Sequence, residues 1–142
     1  MTRFSDAPIV VPVDMSAESL VAVDVALQIA DAPAHIHVLR VLHDPQPAHH
    51  DALWDAIDHS KLRIVALEEL KAALAESEYA GLKLCVEFGD PGHRITEHAD
   101  AIRAHLIVMP SHGRRGVKRL LIGSVAERVT RLAHCPVLVL RS

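Results

Sequence analysis

The sequence predicts a doubly wound α/β fold, a single five-stranded parallel sheet in the order 3-2-1-4-5 with helices on both faces. Three observations carry this expectation. Five short apolar runs recur, at 9–13, 36–42, 82–88, 106–109 and 137–140. The segments between them repeat apolar residues at helical spacing, as right-handed crossovers between parallel strands require. In that order the winding reverses between the first and fourth strands, where open sheets of this class bind ligands. Asp14 ends the first strand and Ser111-His112-Gly113 ends the fourth, so the topology brings the two most polar strand ends together.

Each element has its own signature. After the first strand, Leu20, Val23, Leu27 and Ala30 share one helical face, predicted to lie on the sheet, with Asp14 and Ser16 competing to cap that helix. His35 and His37 are expected on one side of the second strand. Two prolines make His43-Asp44-Pro45-Gln46-Pro47-Ala48 a loop. The second crossover runs from about His49 to Ala80, with Ile57, Ile64, Leu67, Leu70 and Leu74 as its stripe and Gly81 as its stop. Asp90 as N-cap and Pro91 as first helical residue open a third helix carrying Ile95, Ala99 and Ile102. Ser124-Val125-Ala126-Glu127 reads as a capping box, which starts a fourth helix through Val129 and Leu132.

Length and composition narrow the function. At 142 residues and 50% hydrophobic content, the chain suits one domain spanning 1–142 with a core on two sheet faces. A formal net charge of −3 argues against nucleic acid and anionic lipid as partners. The longest apolar runs fall far short of the ~20 residues that span a bilayer, so no membrane partner is expected. The polar start lacks a signal-peptide pattern, and Cys85 and Cys135 read as buried thiols rather than a disulfide, which points to the cytoplasm. Eleven histidines raise the idea of an acid sensor, against the plainer reading of solvated surface groups.

The chemistry concentrates after the fourth strand. Gly113 and Gly123 allow close backbone approach, and Arg114, Arg115, Lys118 and Arg119 would attract a polyphosphate held by amides at a helix N-terminus. The alternative is a solvated basic loop whose glycines turn the chain. Asp14 would accept from a ribose or help hold a metal on phosphate. No P-loop, dinucleotide fingerprint, nucleophile elbow or zinc-protease helix is present in the sequence. Ser111 and His112 are neighbours that are not expected to face each other, and no carboxylate completes a triad. His35 with His37, and His49 with His50, make metal binding conceivable but lack a second spaced pair. The last strand lies at a sheet edge, where isologous pairing through Val137–Leu140 would make a homodimer.

These residues resemble the universal stress protein family over nearly the whole chain. The resemblance rests on Val11-Pro12-Val13-Asp14, Gly89-Asp90-Pro91, Ser111-His112-Gly113-Arg114, Leu120 through Arg128, and Cys135-Pro136-Val137-Leu138-Val139. It implies the doubly wound fold, a cytoplasmic stress-response role, dimers through the last strand and, in one branch, ATP binding. Carried over by motif, Asp14 would sit near the nucleoside and Val41 would contact the base, while Gly113, Gly123, Ser124 and Val125 would surround the phosphates. Pro12, Val13, Met109, Pro110 and Arg114 complete the implied nucleotide-binding set, and Mg²⁺ would enter only with nucleotide. The sequence departs from the ATP-binding pattern at Pro110, which replaces its first motif glycine. Met15 replaces a glycine after the aspartate, and His105 replaces an acidic residue. Three readings follow: an ATP-binding regulatory protein, a slow ATP hydrolase, and a dimeric interaction module that binds no nucleotide.

Overall fold

The computed structural model describes residues 7–44, 52–112 and 122–141. The order is β1 (Ile9–Val13), α1 (Ala17–Ile29), β2 (Ile36–Leu42), α2 (Ala52–Ala73), β3 (Lys83–Phe88), α3 (Pro91–Ala101), β4 (Leu106–Pro110), α4 (Ser124–Leu132) and β5 (Val137–Leu140). All strand pairs are parallel, and the sheet order is β3-β2-β1-β4-β5, as the sequence predicts.

Alternation along the strands divides the core in two. Ile9, Val11, Val13, Ile36, Val38, Leu106 and Val108 pack with α1 and α2. Val10, Leu39, Ile107 and Met109 pack with α3 and α4 on the other face. Because both faces are covered, β1 and β4 read as unbroken apolar runs, whereas β2 carries His37 and Arg40 among its apolar residues.

The helices depart from the sequence reading in register and length. On α1 the fully buried line is Ser19, Ala22, Val23 and Ala26, while Leu20, Leu27 and Ala30 pack at its flanks. Small side chains sit where helix and sheet approach most closely. On α2 and just past its end the buried line is Ala66, Leu70 and Leu74, and Ile64 is 62% exposed, about 120° around the helix from Leu70. α2 ends at Ala73, so Gly81 does not stop it. Gly81 (φ +96°) instead follows a separate 3-10 turn, Ser77–Tyr79, on the way into β3. His35 closes another such turn, Pro33–His35, and so does not share a strand face with His37. The proline loop at 45–48, His49 and His50 lie outside the described residues, as do the side chains of 52–58.

The third helix follows its signature. Asp90 caps it by accepting from the His93 N–H at 3.1 Å, Pro91 is its first residue, and Ile95 and Ala99 are buried. Gly92 allows α4 to come close: a Cβ there would lie 2.5 Å from the Arg128 side chain. Arg128 thereby reaches both Asp90 oxygens, at 2.9 and 3.0 Å, and ties the start of α3 to the middle of α4.

Candidate functional site at the β1/β4 strand ends

The central seam of the sheet opens toward its carboxyl end. β1 pairs with β4 at Ile9↔Leu106 and Val10↔Ile107, while β1 continues to Val13 and β4 to Pro110. Pro12 and Pro110 have no N–H with which to extend that ladder. Proline within inner strands is thus tolerated where the pairing stops. Pro12 and Val13 are buried in β1, and Met109 and Pro110 are buried in β4, so what these residues offer a ligand is chiefly strand backbone.

The chain leaving β1 is folded back on itself. Ser16 wins the cap of α1, accepting from the Ser19 N–H at 3.2 Å. Asp14 accepts from the Ser16 N–H at 3.0 Å and donates its own N–H to Ser19 Oγ at 3.3 Å. Between them Met15 sits at φ 70°, a left-handed conformation that costs a non-glycine residue about 1–2 kcal/mol. The substituted glycine position is therefore one where the backbone itself favours glycine.

The chain leaving β4 is held by a glycine. Ser111 donates its N–H to Leu140 O at 2.8 Å, and the Gly123 N–H donates to Ser111 O at 2.6 Å. A Cβ on Gly123 would stand 2.8 Å from that same carbonyl. Gly123, not Ser124, is the N-cap of α4, with no side-chain cap bond; Ser124 is the first helical residue. The tether to Ser111 fixes the helix start one residue earlier than the capping-box reading predicts. Ser124 and Val125 are exposed in the first turn, beside the carboxyl end of β4. Their amides belong to the uncapped end of a helix, which favours an anion.

Ser111 and His112 do face each other, contrary to the sequence expectation: Ser111 Oγ lies 3.2 Å from His112 Nδ1. His112 Nε2 is buried without a partner among the described residues. Among the described residues no carboxylate contacts the ring. Gly113, Arg114, Arg115, Lys118 and Arg119 lie outside the described residues. Val41 is half-buried on the sheet face covered by α3 and α4. The residues that sequence reasoning missed are the buried His112 nitrogen and the Asp90–Arg128 clamp.

A parallel α/β sheet with an opened central seam and a helix N-terminus at its carboxyl edge defines a doubly wound protein with a candidate ligand position at the strand switch. The sequence profile of the "Universal stress protein family" matches residues 7–141, and the chain belongs to that family. It is 38% identical over 139 residues to Universal stress protein MJ0531 of Methanocaldococcus jannaschii, covering 94% of this chain and 81% of that one. Among solved structures, MJ0577 superposes with a TM-score of 0.78 at 25% identity, covering 96% of both chains. A universal stress protein solved in complex with cAMP superposes with a TM-score of 0.65 at 26% identity, covering 94% of this chain and 96% of that chain.

Proposed function

We propose that this chain is a stress-response regulatory protein of the cytoplasm that binds an adenine nucleotide, ATP, at the carboxyl ends of β1 and β4. The observation that carries the reading is the Gly123 tether, which holds the open end of α4 against Ser111 where the sheet reverses its winding. A helix start held there supplies amide donors and a partial positive charge to a phosphate. The His112 Nε2, without a partner among the described residues, is a second polar group beside that end. The adenine nucleotide in the related cAMP complex supports the ligand class. Asp14 and Val41 are assigned to the nucleoside, with Pro12, Val13 and Met109 framing it. Gly113, Arg114, Gly123, Ser124 and Val125 are assigned to the phosphates. Mg²⁺ would arrive only with the nucleotide, to neutralise phosphate charge.

Binding would act by mass action, stabilising the nucleotide-bound form of a homodimer joined through β5. One observation favours a second reading, an interaction module without nucleotide: Pro110 ends β4 with no N–H to offer a ligand.

The test begins by denaturing purified protein and identifying any nucleotide released. ATP and cAMP are then titrated against wild type, Asp14→Ala and Gly123→Val. The nucleotide reading expects wild-type binding and at least a tenfold loss in Gly123→Val, because the new side chain collides with Ser111 O. Absence of both carried nucleotide and wild-type binding overturns it and leaves the interaction module.

A further inference from the structure

A second cluster of chemically active side chains lies away from the strand ends. Cys85 and Glu87 are two apart on β3, so both face the side of the sheet covered by α3. His98, on α3, faces them. One donor atom from each of Cys85, Glu87 and His98 lies within 4.8 Å of the other two. The Glu87 Oε1 to His98 Nδ1 distance is 3.5 Å, which is about the spacing of two ligands on one tetrahedral ion. His37, on the neighbouring strand, meets the His98 ring edge-on with centroids 6.1 Å apart.

Two features separate this group from a chance polar cluster. His98 Nε2 is buried without a hydrogen-bond partner among the described residues, a costly state for an imidazole nitrogen. Among the described residues, rotating the ring to exchange its nitrogens would break only the long contact to Glu87. In addition, β3 is an edge strand and all three residues are half-buried, so an ion can enter from solvent.

We propose that Cys85, Glu87 and His98 form a binding site for a zinc-class divalent cation, with His37 as the nearest further imidazole. Sulfur, imidazole and a single carboxylate suit zinc, whereas calcium and magnesium call for oxygen-rich shells. On binding, the Cys85 S–H bond breaks, its proton leaves to solvent, and the sulfur lone pair binds the metal. The thiol is otherwise held protonated: burial, and then the Glu87 carboxylate, push it above its ordinary range. Burial, then Lys83, then His98 lower the His37 pKa. A bound ion would pin α3 to the sheet edge. The site stands independently of the nucleotide reading, since none of its three proposed ligands belongs to the strand-end site.

Cobalt is the probe, titrated into the full chain after chelator treatment and without nucleotide. One equivalent is expected to give a thiolate-to-cobalt charge-transfer band that zinc bleaches. Cys85→Ser should abolish the band, Glu87→Gln and His98→Gln should weaken affinity at least tenfold, and Cys135→Ser should retain it. No thiolate band in folded wild type overturns the site, as does a band that survives in Cys85→Ser or disappears in Cys135→Ser. Should Cys85→Ser not fold, unchanged affinity in both Glu87→Gln and His98→Gln overturns it instead.

Discussion

Tyr79, the chain's single tyrosine, donates its hydroxyl to Asp24 at 2.7 Å and so reports one contact cleanly. The hydrogen bond to Asp24 is the largest cause that pushes its pKa up to about 12, followed by desolvation and the charge of Asp24. The neutral phenol is the form favoured in the fold, so this contact supports stability below the unfolded value of about 10 and is lost as pH rises toward 12. Absorbance titration should show the phenol ionising well above a free tyrosine. Asp24→Asn should return the midpoint toward the ordinary value, and an unshifted wild-type midpoint would refute the contact. Side-chain partners of this kind span 55 residues of sequence and leave no local signal. The same limit applied at the candidate site. Asp14, Gly123 and the strand ends were legible because glycine, proline and carboxylate carry local backbone preferences. The true α4 cap was not, because a tertiary hydrogen bond to Ser111 set it.

Helix ends show how far local rules reach. The end of α3 is a Schellman motif: Ala104 donates its N–H to Ala99 O at 2.8 Å, and Arg103 donates its N–H to Asp100 O at 3.1 Å. Arg103 occupies the position that glycine usually fills, at φ 55°, and it is exposed. Arg103→Gly should therefore raise unfolding free energy by about 1 kcal/mol, read in a denaturant melt; a loss of that size would refute strain at this position. At the other end, desolvation acts to raise the Asp90 pKa. The His93 N–H and the Arg128 guanidinium outweigh it and hold the carboxyl below its ordinary range. A depressed carboxylate contributes stability above its unfolded pKa and loses it as pH falls through the folded one. Asp90→Ala should cost about 1 kcal/mol near neutrality. The deficit should shrink below about pH 4, and a deficit that does not change across that range would contradict the assignment. The cap and Pro91 were readable because they act within one turn. The register and end of α2 were not: its apolar residues spread around the helix, and only packing chose Ala66, Leu70 and Leu74 over Ile64.

At the scale of the molecule, the alternation of apolar runs with helical segments was present in the sequence, and the general rule of right-handed crossovers turned it into the doubly wound expectation. Assembly depends instead on what the edges leave uncovered. β5 is the edge next to β4, and its other side has no neighbour among the described residues. Val137 and Val139 turn toward α3 and α4 and Leu140 toward α1, while Leu138 remains 37% exposed. A short apolar edge with unpaired amides invites a second copy, and two-fold pairing satisfies both copies at once. Four residues make a small contact, so the dimer proposed here should be concentration-dependent. Light scattering over a dilution series should show wild type approaching twice the chain mass, and Leu138→Lys should hold it at the monomer by placing charge in the seam. The variant's melting profile should stay close to that of the wild-type monomer, since Leu138 supports neither core face. A wild-type mass that remains monomeric at every concentration would remove β5 as the dimer edge. Any coupling of nucleotide binding to assembly would then need another surface, although Ser111, which anchors Gly123, donates directly to Leu140 on that strand.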